Sequence, residues 1–306
     1  ACRWGIEMRY DTLIRNARVI DGSNAPGYMA DVAVRAGRIE RIGERIDARA
    51  EHEIDAAGRV LAPGFIDVHT HDDTVVIRQP QMLPKLSQGV TTVIVGNCGI
   101  SASPVTLRAE PPDPMNLLGA RAAFVYPRFS DYRAAVEAAN PALNVAALIG
   151  HTALRSNHMD DLHRTATPGE IHGMREQLRE SLEAGALGLS TGLAYASAFN
   201  AETDEVLQLA AELSAFGGLY TTHLRSEFEP VLEAMDEAFL IGRQARVPVI
   251  ISHLKCAGAG NWGRSPLLLA ALEQAAKTHP VGCDCYPYAA SSSTLDLKQV
   301  TDAFRI

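Results

Sequence analysis

From residue 8 to about residue 62, apolar and polar positions alternate over short runs. That is the period of half-buried strands. Leu13 to Ile20, Ala30 to Val34, Arg38 to Ile42, His52 to Asp55 and Val60-Leu61 are the expected strands, with turns at Asp21-Gly22 and Ala36-Gly37. The texture changes at Pro63-Gly64. Apolar strands that end in polar residues now alternate with helical stretches. The strands are Gly64 to His71, Gly89 to Cys98, Asn144 to His151, Ala186 to Thr191, Leu219 to Arg225, Val247 to Lys255 and Val281 to Tyr288. The helices between them include Asp131 to Ala139, Pro168 to Ala184, Thr203 to Phe216, Pro230 to Ala245 and Pro266 to Ala276. Asp131 and Thr167 are expected N-caps, and Gly185 and Gly217 expected stops. Such alternation predicts βα units on a parallel sheet. The strands number one fewer than a closed (β/α)₈ barrel requires. The expected layout is a β segment over residues 8–62 and a partial barrel over 63–306. Residues 1–7 are read as a frame extension or expression remnant outside the fold.

Two stretches lack periodicity. Ser101 to Arg128 carries Pro104, Pro111, Pro112, Pro114 and Pro127, and Leu193 to Glu202 is small and polar. Loops of this length after barrel strands are either functional lids or surface excursions.

Composition narrows the classes. The 306 residues are 47% hydrophobic and 21% charged, with net charge −8. This is an ordinary globular balance without a basic footprint, so nucleic acid and anionic lipid are not expected partners. No apolar run reaches the ~18 residues of a membrane span. The cysteines are Cys2, Cys98, Cys256, Cys283 and Cys285. An odd number in a long chain argues against a disulfide framework and for a reducing, cytoplasmic compartment. The oligomeric state is not indicated.

The chemistry-bearing residues fall at strand ends. His69 and His71 are two apart, so in a strand they share a face. Cys98, His223 and His253 end later strands. In a parallel barrel these ends converge on the face where active sites lie. Imidazoles with a thiolate are zinc ligands, and three protein ligands leave a position open for catalysis. His52, His158, His163, His172 and His279 lack that placement and are read as structural, while His151 is left between a supporting role at the metal and a structural one. Arg225 and Lys255 each follow a proposed ligand by two residues. Arg225 is assigned to an ion pair with Glu227, and Lys255 to a substrate carboxylate.

Several words extend this reading: Pro63-Gly64-Phe65-Ile66-Asp67-Val68-His69-Thr70-His71-Asp72-Asp73, Gly96-Asn97-Cys98-Gly99, Gly188 to Tyr195, His223-Leu224-Arg225-Ser226-Glu227, Ser252-His253-Leu254-Lys255 and Asp284-Cys285-Tyr286-Pro287-Tyr288. In this order they resemble the N-acyl-D-amino-acid deacylase (D-aminoacylase) family of the amidohydrolase superfamily. The resemblance implies a (β/α)₈ TIM-like metal-dependent hydrolase barrel, incomplete at the C-terminus, with a small N-terminal β-sandwich. It implies one tight Zn²⁺ held by Cys98, His223 and His253, and a second, weaker or empty site at His69 and His71. It also implies that Lys255, Tyr195 and Tyr286 hold the substrate carboxylate or the reacting oxyanion, with Ser291 to Thr294 lining the same mouth. The fourth strand has no lysine to bridge two metals, and Cys98 is the expected substitute.

The implied reaction is hydrolysis of an N-acyl-D-amino acid, a small-molecule substrate, by a linear-amide hydrolase. The family's acid–base aspartate ends the eighth strand and is expected beyond Ile306, so no residue of this sequence is given that role. After Tyr195 the sequence Ala196-Ser197-Ala198 departs from the family's proline-glycine turn. Two other readings stand beside this one: a cyclic-amide amidohydrolase, and a catalytically silent metal-binding fragment.

Overall fold

The structure is a computed structural model that describes residues 9–288 and 290. Residues 1–7 and Ser291 to Thr294, which figure in the expectations above, lie outside the described residues. The chain divides into two compact units, with the boundary between Phe65 and Ile66.

The first unit is a five-stranded mixed sheet. Its strands are β1 (Arg9–Val19), β2 (Tyr28–Arg35), β3 (Arg38–Gly43), β4 (Arg49–Asp55) and β5 (Val60–Leu61), in the order β3-β2-β1-β4, with β5 also on β1. Two small clusters hold it: Tyr10, Leu13, Ala33 and Ile46, and Ala17, Val19, Ala30 and Val32. The buried Asp31 carboxylate accepts from the amides of Asn16 and Ile46, each at 3.0 Å. Removing the second bond would leave the buried Ile46 amide without that partner.

The second unit is built on β6 (Phe65–Asp67), β7 (Val90–Val95), β8 (Asn144–Gly150), β9 (Gly188–Gly192), β10 (Leu219–His223), β11 (Val249–Ile251) and β12 (Val281–Cys283). They form one sheet in strictly sequential order. Sequential parallel neighbours joined by helices make a barrel wall, whereas a doubly wound sheet reverses its order. The connecting helices are α1 (Val75–Arg78), α2 (Leu83–Leu86), α3 (Phe129–Ala139), α4 (His151–His158), α5 (Pro168–Glu183), α6 (Thr203–Leu213), α7 (Val231–Ala245) and α8 (Ser265–Ala276).

Helix α5 illustrates how local sequence makes these elements. Thr167 and Glu170 form a reciprocal capping box around Pro168, and Ile171, Met174, Leu178 and Leu182 are its buried stripe. Such a cap contributes about 1 kcal/mol. Gly185 follows at φ +99°, a conformation that ends the helix without Cβ strain.

Several expectations need correction. Asp131 does not cap α3, which starts earlier with Arg128 at the N-cap. Asp131 sits in the first turn, paired with Arg128 at 3.0 Å, where its charge suits the helix dipole. His151 does not end β8 but begins α4, an unpredicted helix. The strands carrying the site are shorter than their apolar runs, and β6 stops at Asp67. His69 and His71 therefore lie beyond regular strand, and no period-2 rule sets their directions. The proline-rich stretch is not structureless. It has two 3-10 turns and a core of its own: Ile100, Val105, Met115, Leu118, Phe124 and Ala153.

Candidate metal centre

The turn after β7 presents the sulfur. Gly96 and Gly99 have φ of +79° and +75°. A Cβ on Gly96 would stand 2.1 Å from the carbonyl oxygen of Leu148, so no side chain fits there. Cys98 between them is left-handed too, at φ +54°. Left-handed backbone at a non-glycine residue costs roughly 1–2 kcal/mol and persists where surrounding bonds enforce it. Here the amide of Gly99 donates to Ser190 Oγ at 3.0 Å, and those of Gly96 and Ala102 donate to the buried Asp73 carboxylate at 3.3 and 3.1 Å. His253 shares this strain, at φ +36°.

The five residues read from sequence as ligands come together. Cys98 Sγ is 3.1 Å from His69 Nε2 and 3.5 Å from His253 Nε2. The donor atoms of Cys98, His223 and His253 lie within 4.8 Å of one another, and so do those of His69, His71 and Cys98. The sulfur is thus common to both groups.

Outer partners orient three of the four rings. Asp284 Oδ2 is 3.2 Å from His69 Nδ1, and its other oxygen accepts from the His253 amide at 2.6 Å. The Tyr195 hydroxyl is 3.2 Å from His223 Nδ1. Glu227 Oε1 is 2.8 Å from His253 Nδ1. Ring nitrogens held this way leave the opposite nitrogen for a metal. By contrast, the buried Nδ1 of His71 has no hydrogen-bond partner among the described residues.

The electrostatics favour a cation. Burial alone would push the Cys98 thiol up, but hydrogen bonds with His223, His253, His69 and His71 outweigh it and hold the thiol well below its usual range. Burial alone would push His69 down, yet its bonds to Asp284 and Cys98 raise it to about 10. His253 is raised to about 9, with the Cys98 and Glu227 bonds again overcoming burial. The thiolate of Cys98 and the protonated rings of His69 and His253 thus favour one another. Such protons are the ones a bound metal replaces.

The predicted substrate groups sit at the same place. Lys255 Nζ donates to Glu227 Oε1 at 2.5 Å and is 2.8 Å from His253 Nδ1. Its ammonium lies 5.7 Å from the Tyr286 ring centroid. The expected Arg225–Glu227 pair is absent. Arg225 bonds Glu237 on α7 at 2.7 and 2.9 Å, because β10 ends at His223 and the chain turns away before Arg225. Lys255 is the cation that takes Glu227. His151 is fully buried, with Nε2 2.8 Å from Glu205, whose carboxylate also receives both bonds of Arg155 Nη1 at 2.6 and 2.7 Å.

Asp284 and Glu227 are the carboxylates that residue-by-residue reading missed as ring partners. Asp284 stands one residue beyond β12, and Glu227 four beyond His223; either position signals proximity to a ligand without fixing a role.

The amidohydrolase family model matches residues 52–306. A D-aminoacylase of Alcaligenes xylosoxydans xylosoxydans is 46% identical over 296 residues, which is 97% of this chain and 61% of that protein. A solved D-aminoacylase, described for a binuclear centre with one-metal activation and second-metal attenuation, matches with TM-score 0.91 and 46% identity over 94% of this chain and 60% of that one. The N-acyl-D-glutamate deacylase of Bordetella bronchiseptica, solved with zinc and a phosphonate mimic of the tetrahedral intermediate, matches with TM-score 0.91 and 40% identity, covering 96% and 62%. The chain spans about three fifths of the length of these relatives. With its barrel wall, its ligand-bearing strand ends and these matches, the chain belongs to the amidohydrolase family.

Proposed function

We propose that this chain carries the metal centre of a zinc-dependent hydrolase. It cleaves the amide bond of N-acyl-D-amino acids, or of dipeptides with a C-terminal D residue, giving a carboxylate and a D-amino acid. The observation that carries the reading is the gathering of Cys98, His223 and His253, one sulfur and two ring nitrogens, from three separate strand ends. The similarity to deacylases of N-acyl-D-amino acids supports the substrate class.

Cys98, His223 and His253 would hold the tight zinc, with His69 and His71 as a second, weaker site. The asymmetry of outer partners supports that ranking. Both rings of the tight set, His223 and His253, are fixed through Nδ1, whereas in the second set His69 is fixed by Asp284 and His71 has no such partner among the described residues. When bound, zinc supplies a Lewis acid that polarises a carbonyl and acidifies water. The chain's own residues do the rest of the binding. Lys255 exchanges Glu227 for the substrate carboxylate, with Tyr286 alongside, and Tyr195, fixed by its contact with His223, is assigned to the reacting oxygen. Asp284 and Glu227 are committed to His69 and His253, so neither is given the acid–base role. The resemblance puts that role on an aspartate at the end of an eighth strand.

The test is zinc content together with turnover of paired N-acetyl-D- and N-acetyl-L-methionine. The reading predicts bound zinc and preference for the D form. Hydantoin turnover instead would favour a cyclic-amide enzyme, and zinc without any turnover a silent metal-binding protein.

A further inference from the structure

The segment Leu193 to Glu202 belongs to no helix or strand, yet Ser197, Ala198 and Ala201 within it are buried. Its carbonyls are held by two guanidinium groups from different βα units. Arg155 on α4 donates from Nε to the Ser197 carbonyl at 3.2 Å. Arg225, just past β10, donates from Nη1 to Phe199 and from Nη2 to Ala201, at 2.8 and 3.0 Å. Each guanidinium is locked by a carboxylate on a helix, Glu205 of α6 for Arg155 and Glu237 of α7 for Arg225. Thr203 completes the second lock, donating to Glu237 Oε1 at 2.8 Å.

The clamped carbonyls lead back to the centre. The Ala201 amide donates to the Ala198 carbonyl at 3.0 Å, and the Ala198 amide to the Tyr195 carbonyl at 2.9 Å. Tyr195 in turn meets His223 Nδ1. A short run of backbone bonds thus links the Arg225 fork to a proposed ligand.

We infer that Arg155 and Arg225 form a paired clamp on this segment, and that Arg225 is a positioning residue that keeps the Tyr195 hydroxyl against His223. A planar fork reaches two carbonyls and a carboxylate at once. A lysine at 225 keeps the charge opposite Glu237 but lacks the second directed donor. The consequence for metal retention rests on the proposed zinc site; the consequence for the segment does not.

The experiment compares wild type, Arg225→Lys, Tyr195→Phe and the double variant. Amide hydrogen exchange is read over residues 195–201, and zinc release to a chelator is read on loaded protein. Arg225→Lys should speed exchange across the segment and speed zinc release about tenfold, in the range that outer partners of metal ligands command. In the Tyr195→Phe background the same change should add nothing to zinc release, because both act through one contact. Unchanged exchange in Arg225→Lys overturns the clamp. An equal speeding of zinc release with and without the tyrosine hydroxyl also overturns it, since that is general loosening. If wild type holds no zinc, the metal reading fails. The clamp is then decided by exchange and by the nitrogen chemical shift of His223 Nδ1, which Arg225→Lys and Tyr195→Phe must move alike. Glu237→Gln, which weakens the lock from the helix side, repeats the comparison should Arg225→Lys not fold.

Discussion

The Cys98 sulfur lies 3.1 Å from Nε2 of His69, although the two residues leave different strands. One sulfur therefore stands in both candidate ligand groups. Substitution of Cys98 by serine should strip both, taking retained zinc from about one equivalent to near zero, whereas His71→Ala should leave about one equivalent. Metal content per chain after gel filtration checks this. Loss of the tight zinc in His71→Ala would reverse the proposed ranking of the two sites.

Glu227 is expected to act on zinc through His253. With the carboxylate 2.8 Å from Nδ1, Glu227→Gln should weaken zinc binding about 10- to 100-fold in a chelator competition. An unchanged affinity would reduce Glu227 to a counter-ion for Lys255.

Lys255→Met should raise KM for an N-acyl-D-amino acid about 10- to 100-fold, the scale of a charge-assisted hydrogen bond. The carboxamide analogue of the same substrate should be unaffected. Equal losses on both would place Lys255 in support of His253 rather than on the carboxylate.

Acid stability should report the buried Glu205. Burial alone would push its carboxyl up, but the bond and charge of His151 and the charge of Arg155 hold it at about 2, against an ordinary 4.5. A folded-state pKa below the unfolded one gives stabilisation that is complete above the ordinary range. It is lost as pH falls from about 4.5 towards 2. The loss amounts to roughly 3 kcal/mol. Urea titrations from pH 6 to pH 3 should show the stability gap between wild type and Glu205→Gln narrowing over that window. A gap independent of pH would contradict an ionised Glu205.

The strand-end histidines and Cys98 were legible in the sequence because strand identity and strand-end placement suffice to bring such residues to one face of a barrel. Side-chain direction was less legible. Two-residue spacing put Arg225 and Lys255 in equivalent positions, yet Arg225 turns to Glu237 while Lys255 stays beside His253. The strands end at His223 and Ile251, so alternation no longer applies where these cations sit. The left-handed backbone of Cys98 sits between the tightly packed glycines Gly96 and Gly99, and that of His253 follows the end of its strand; spacing encodes neither. The partners of His69 and His253 come from residues 215 and 26 positions away, Asp284 and Glu227, and only folding brings them into reach. Helix α5 was legible almost to the residue because its capping box is local.

X-ray absorption at the zinc edge of the loaded protein tests the central claim most directly. The account predicts a coordination shell with sulfur at about 2.3 Å and nitrogen or oxygen at about 2.0–2.1 Å, the sulfur contribution vanishing in Cys98→Ser. A zinc shell of nitrogen and oxygen alone in the unaltered protein would contradict it.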